Sequence, residues 1–410
     1  MASDTLDDLR RIIRRIEGRR RPRVAPETAE RVLGGEVLET EAGTILVVRR
    51  DYPLGHRHGC RALAPAATAP AHLVRLLARS EGMLPDPDRF VFLDTETTGL
   101  AGGTGTYAFL VGAGYVEDGR FVVAQYFMRD LDEEPALLAA LAPILERASA
   151  IVSFNGRGFD MPLLETRFVL ARRSWPVTLN HLDLLGPARR VWGRALDDCR
   201  LTTLERRVLG VVRHDDVPGT LIPSLYFAFL RSRQAAPLTR IFAHNRDDVL
   251  SVAALLAWFA DADAAPGCAP TELAGLGALW DGVDIERSLA LYRAALDTGL
   301  SGPLARRVRW RLAWWEKRRA RWEQACALWQ DAASDADAFD HRPWEELAKF
   351  HEHRRRDLNA AHRIVMRALE RAASAAAPAG IMAAFRDRLA RLELRLAHSH
   401  RLRGLVTPRA

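Results

Sequence analysis

Three apolar runs in close succession, Phe90–Leu93, Tyr107–Tyr115 and Phe121–Met128, constrain the fold of this chain most. Runs this short, rich in β-branched and aromatic residues, predict strands rather than buried helices. Their closeness in sequence predicts an antiparallel meander. Helical periodicity over Leu137–Ala148 follows Pro135, then a buried strand at Ile151–Phe154 and a helix over Pro162–Ala171. Three strands followed by helix, strand and helix predict an α/β layer fold.

Upstream, Glu36–Thr40 and Thr44–Arg49 flank Glu41-Ala42-Gly43 and read as a β-hairpin. Before it, Leu6, Leu9, Ile12, Ile13 and Ile16 fall at helical spacing among arginines. This is a basic amphipathic helix, followed by the Arg19–Arg23 tract. His56 and His58 stand near Cys60, but a fourth ligand at zinc spacing is missing, so they read as core or loop histidines.

Downstream, an Asp, Ala, Pro and Gly loop at Asp263–Pro270 separates the α/β region from a remainder rich in Ala, Leu, Arg and Trp. Three blocks recur there, at Asp284–Tyr292, Arg321–Trp329 and Asp357–Val365, with offsets of 37 and 36 residues. A second helix precedes each block, with Trp310, Leu312 and Trp315 before the second and Trp344, Leu347 and Phe350 before the third. One helical hairpin cannot cover its own apolar face, so a pair repeating at this period predicts a stacked, tetratricopeptide-like array. The tryptophans are inter-helix core in that array, or a platform on which bases stack. The expected organisation is residues 1–84 as a basic helix and hairpin region, 85–262 as the α/β domain and 263–410 as the helical repeats.

Of the 410 residues, 59 are basic and 52 acidic, giving a net charge of +7, which is compatible with a polyanionic partner without identifying one. All but Lys317 and Lys349 of the basic residues are arginine. Cys60, Cys199, Cys268 and Cys326 are scattered without a CxxC pair, which predicts neither a disulfide scaffold nor structural zinc. Asp4, Asp7 and Asp8 occupy the place of a basic signal region, and no run approaches 18 apolar residues. The expected setting is cytoplasmic, with no membrane partner.

Chemistry concentrates in three blocks. In Asp94-Thr95-Glu96-Thr97-Thr98-Gly99-Leu100, strand alternation puts Asp94 and Glu96 on one face, where two anions repel unless a cation lies between them. Further carboxylates come from Phe154-Asn155-Gly156-Arg157-Gly158-Phe159-Asp160 and from His244-Asn245-Arg246-Asp247-Asp248. Four residues along a helix bring His244 and Asp248 to one face. Asp247 replaces Asp248 as ligand only if that helix is rotated by about 100°. Asp183, Asp197, Asp198, Asp215 and Asp216 read as caps, loop residues and helix starts, Asp183 also as an outer partner of the site.

These three blocks, with Leu182-Asp183-Leu184-Leu185, Asp216-Val217-Pro218-Gly219-Thr220 and the helical tail, resemble the DEDD 3′–5′ exonuclease superfamily on the ribonuclease-H fold. Within it they are most similar to the YprB-like branch, over residues 90–260. The resemblance implies a ribonuclease-H-like domain of mixed sheet and flanking helices, followed by an all-α repeat domain. It implies hydrolysis of phosphodiester bonds at single-stranded nucleic-acid ends with two Mg²⁺ or Mn²⁺ ions. Asp94, Glu96, Asp160 and Asp248 match its metal-binding acids. His244 matches the residue that precedes the last acid and orients or deprotonates water, but it stands at the four-residue spacing of the tyrosine subgroup, which leaves the general base open.

Thr97, Thr98, Gly99 and Leu100 correspond to the segment that meets the terminal nucleotide, and Asn155 and Arg157 stand as further substrate contacts. Arg157, Arg189, Arg190 and Arg194 are candidate phosphate contacts. The repeats are expected to recruit a protein partner or guide the strand. The alternative function is a non-catalytic scaffold for nucleic acid or protein. DNA versus RNA, and exo- versus endonucleolytic action, stay open at this point.

Overall fold

The computed structural model of the chain describes residues 28–78, 85–99, 105–176, 180–264, 267–334 and 339–405. The basic amphipathic helix expected near the N-terminus lies outside these residues, as does Leu100. The chain divides into two compact units. One comprises the residues up to Arg189 with Leu196–Gly267, the other Arg190–Ala195 with Cys268–Ala410.

In the first unit the strands are β1 Glu36–Thr40, β2 Gly43–Pro53, β3 Arg57–His58, β4 Arg61–Ala62, β5 Phe90–Thr97, β6 Ala108–Glu117, β7 Arg120–Phe127, β8 Ala150–Ser153 and β9 Asn180–Asp183. Seven form one sheet in the order β1-β2-β7-β6-β5-β8-β9, and β3 and β4 make a separate ribbon. The expected antiparallel meander is β5-β6-β7. β8 runs parallel to β5, and β9 parallel to β8, so the carboxyl ends of three strands share one edge of the sheet.

The β1-β2 hairpin does not stand apart from this sheet, because β2 pairs antiparallel with β7, from Leu46 opposite Phe127 to Pro53 opposite Arg120. β2 runs four residues beyond the predicted Arg49, through Arg50–Pro53. No residue of that extension is buried, so apolar patterning carries no trace of it.

Burial on both faces explains why the central strands are apolar throughout. Val91 and Leu93 of β5 join a core cluster with Leu137, Leu141 and Leu145 of the helix Glu134–Arg147 and Leu164 of the helix Asp160–Leu170. Phe90, Phe92, Asp94 and Glu96 alternate to the other face, where the helix Leu238–Ala264 lies against the sheet.

Gly112 of β6 makes this approach possible. It pairs with Asp94 on one side and Gln125 on the other. A Cβ at position 112 would lie 2.4 Å from Asn245 Oδ1 and 2.9 Å from Val249 Cγ2. Asn245, wholly buried, occupies the space above the glycine, accepting from Gln125 Nε2 at 2.9 Å and donating to Asp94 Oδ2 at 2.9 Å. A row across three strands is thereby tied to the long helix at the level of the first acid.

The described residues of the second unit contain helices and no strand. They are Pro270–Trp280, Ile285–Asp297, Gly302–Arg318, Trp322–Ala333, His341–Lys349, Leu358–Ser374 and Ala379–Leu405. The repeated blocks fall on Ile285–Asp297, Trp322–Ala333 and Leu358–Ser374. The first and third begin with aspartates because these cap the helix: Asp284 accepts from the Arg287 amide at 3.0 Å and Asp357 from the Ala360 amide at 2.8 Å. Trp329 and Trp344 are buried in one cluster with Leu347, Phe350 and Val365, so these two are core. Among the described residues no helix is long and apolar enough to cross a membrane.

Gly112→Ala is expected to destabilise the first unit by about 1–3 kcal/mol through overpacking, read as a lowered urea midpoint for that unit. Gly219→Ala, where a Cβ meets nothing within 4 Å, serves as the neutral control. Equal midpoints for the two variants would contradict the packing argument.

Candidate active site

The acids gather at the edge where the parallel strands end. Asp94 and Glu96 project from one face of β5. Asp160 opens the helix Asp160–Leu170, immediately after the loop that follows β8. Thr95 lies between the two β5 acids and points the other way, and its Oγ1 donates to Asp160 Oδ1 at 2.5 Å. The Asp-Thr-Glu triplet thus presents two carboxylates and anchors a third.

The loop that delivers Asp160 is organised by Asp183 at the end of β9. Its Oδ1 accepts from the amides of Asn155 at 2.8 Å and Leu185 at 3.0 Å, and its Oδ2 from the Arg157 amide at 3.0 Å. Asp183 is therefore both a cap and a support for the site. Gly156 is required in this loop, since a Cβ there would come within 2.4 Å of Ser153 Oγ and 3.1 Å of Asp160 Oδ2. Asn155 takes a left-handed φ of 68°. Asn155 and Arg157 thus serve the loop through their amides, and the Arg157 guanidinium donates to the His181 carbonyl at 2.9 Å.

The last two residues come from the helix Leu238–Ala264. The four-residue spacing brings His244 Nε2 to 3.5 Å from Asp248 Oδ2 and 3.9 Å from Glu96 Oε1. Single donor atoms of Glu96, His244 and Asp248 all lie within 4.8 Å of one another, the separation expected of ligands around one cation. Asp248, not Asp247, faces Glu96; the Asp247 carboxylate pairs with Arg246 at 2.7 Å.

Several partners here were not legible as site residues. Arg213, nearly buried, donates through Nε to Glu205 Oε2 at 2.8 Å and through Nη2 both to Glu205 Oε1 at 2.5 Å and to Asp248 Oδ1. Glu205 in turn accepts from Ser251 Oγ at 2.5 Å, and Ser251 lies 2.8 Å from His58 Nε2. Ser251 has one proton and gives it to Glu205, so His58 donates to Ser251. His58 is thus a satisfied core histidine, as its spacing predicted. Asp216, read as a loop or helix-start residue, lies in a loop, where it accepts from the Val217 amide at 2.9 Å, and its Oδ1 also lies 2.7 Å from His244 Nδ1. Arg213 Nη1 approaches the same nitrogen at 3.3 Å. Both cannot bond it well, and the shorter distance to an anion assigns Nδ1–H to Asp216 and leaves Nε2 facing Glu96 and Asp248.

Electrostatics follow from this crowding. Burial, then the nearby charges of Asp248, Glu96 and Asp160, push the Asp94 carboxyl well above its usual range, against the Asn245 hydrogen bond. Glu96 rises likewise through burial, Asp248 and Asp160, with Arg213 opposing. Asp160 is pushed up to about 6 by burial, with the Thr95 hydrogen bond working against it. Burial holds the His58 imidazole down at about 4, so it is neutral. Carboxylates that resist ionisation together are relieved by a bound cation, and the all-oxygen acids with one imidazole are donors that suit Mg²⁺ or Mn²⁺.

β5 ends at Thr97, and Thr98 and Gly99 follow it directly. Thr97 Oγ1 donates to the Gly99 carbonyl at 2.8 Å, and Thr98 Oγ1 accepts from the Tyr107 amide at 3.0 Å.

Residues 91–260 match the family profile of the RNase H superfamily, which fits the mixed seven-stranded sheet with flanking helices. The chain is also 30% identical over 340 residues to the uncharacterized protein YprB of Bacillus subtilis (strain 168), covering 80% of this chain and 81% of that one. The chain belongs to the YprB family.

A raised carboxyl pKa means that the metal-free folded state holds protons the unfolded chain releases. Its contribution to stability is complete below the unfolded pKa and is lost as pH rises through the folded one. Asp94→Asn is therefore expected to raise the melting temperature of the metal-free protein by a few degrees at pH 8 and to leave it unchanged near pH 4. A variant no more stable than the parent at pH 8 would contradict the crowding.

Proposed function

We propose that the protein is a metal-dependent nuclease, a 3′–5′ exonuclease that hydrolyses phosphodiester bonds at single-stranded nucleic-acid ends. The observation that carries this reading is the convergence of Glu96, His244 and Asp248 with the crowded Asp94 and Asp160 at one sheet edge. Asp94, Glu96, Asp160 and Asp248 hold two Mg²⁺ or Mn²⁺ ions in this reading. When bound, such ions stabilise the attacking and leaving oxygens and lower the pKa of water.

The chain's own residues do the rest. His244 accepts a proton from the attacking water at Nε2 while Asp216 fixes the ring through Nδ1 and stabilises the charge that develops. Arg213 fixes Asp248 through Oδ1, leaving Oδ2 for the site. Thr97, Thr98 and Gly99 meet the terminal nucleotide together with Leu100, which lies outside the described residues. The second unit acts as a tetratricopeptide-like adaptor, and the setting is cytoplasmic.

The reading is tested with end-labelled single strands of DNA and RNA in Mg²⁺ and Mn²⁺, with circular strands beside linear ones. Linear strands should shorten from the 3′ end with release of mononucleotides, and circles should persist. Asp216→Asn should cost about 10–100-fold, the usual loss for an outer partner of a metal-site histidine, and Asp248→Asn more than that. Cleavage of circles at the linear rate contradicts exonuclease action, and full activity of Asp248→Asn contradicts the site.

A further inference from the structure

The second unit contains a cavity of about 420 Å³ whose lining is dominated by guanidinium groups: Arg194, Arg306, Arg307 and Arg342, with Trp310 and a single carboxylate, Asp340. Arg194 belongs to this unit through the segment Arg190–Ala195. Trp192 Nε1 in that segment donates to Glu272 Oε1 at 3.2 Å.

The carboxylate is already spent on Arg342, which bonds it through Nε at 3.0 and 3.1 Å and through Nη2 at 2.6 Å. Arg342 also lies over the Trp310 ring, 4.9 Å from its centroid. Arg194 and Arg307 are exposed and have no ion-pair partner among the described residues. The cavity further takes in the first turn of the 17-residue helix Gly302–Arg318, whose positive dipole end adds to the field.

We infer that this cavity is a second nucleic-acid site, which takes one nucleotide of a single strand, its phosphates on Arg194 and Arg307 and its base against Trp310 and Arg342. Phosphate oxygens match the fork of a guanidinium, and a volume of several hundred Å³ is that of a small-ligand site. An indole and a guanidinium plane in the same cavity suit a flat base, which an acidic peptide lacks. The inference is independent of the hydrolytic reading, because it concerns binding alone.

The test uses the full chain carrying Asp94→Asn, in chelator, with a fluorescein-labelled single-stranded oligonucleotide followed by anisotropy over a range of salt. The additional pair Arg194→Gln and Arg307→Gln should weaken binding at least tenfold and flatten the salt dependence by about 1.4 units of slope, near 0.7 for each phosphate that is no longer neutralised. Lysine at both positions should restore the slope. Both positions are exposed, so circular-dichroism melting should match the parent. Unchanged affinity and slope in the glutamine pair would overturn the inference. So would a poly-glutamate peptide that displaces the oligonucleotide as well as an unlabelled strand does, which would assign the cavity to an acidic protein segment. Because no turnover is read, failure of the nuclease assay leaves this result standing, and the converse also holds.

Discussion

Several carboxylates held at one end of a sheet repel one another and lose their solvation, and the fold around them is arranged to bear that load. Asp94, Glu96 and Asp160 all have raised pKa values, with burial as the first cause and their neighbours' charge as another. Asp94, Asp160 and Asp248 are each held by a separate device. Asn245 donates to Asp94 from above Gly112, Thr95 donates to Asp160, and Arg213 takes one oxygen of Asp248. Without these bonds the acids would turn outward to water, where a carboxylate is far better solvated.

The helix Leu238–Ala264 is the element on which these devices converge. Within two turns it supplies His244 and Asp248 to the site, Asn245 to the sheet and Ser251 to the buried chain that runs through Glu205 to Arg213. That chain ends on His58 of β3, so the region before the meander also braces the site. Position of the acids is thus a property of the whole first unit, whereas the helices of the second unit carry their own cores around Trp329 and Leu312.

Local features were legible in the sequence. Apolar runs marked β5, β6, β7 and β8, helical spacing marked the helix after Pro135, and the Asp-Thr-Glu, Asn-Gly-Arg and His-Asn-Arg-Asp-Asp blocks marked the residues that the fold brings together. Four-residue spacing placed His244 beside Asp248, and the match to the family's last acid favoured Asp248 over Asp247. What stayed hidden is non-local. Pairing of β2 with β7 joins residues about seventy positions apart and leaves no pattern in either strand. Arg213 is one arginine among many, and only burial between Glu205 and Asp248 distinguishes it. Gly112 and Gln125 matter because they flank each other across a strand pair, which no spacing along the chain reveals. Asp216 looked like a loop residue because it lies in one, and its bond to His244 depends on a helix that begins some twenty residues later.

The most direct test of the arrangement is anomalous diffraction at the manganese edge from crystals grown with Mn²⁺. The account predicts a peak bonded by carboxylate oxygens of Asp94, Glu96 and Asp248, with His244 alongside. Crystals that show no peak among these residues, or in which the acids diverge toward solvent, would contradict it.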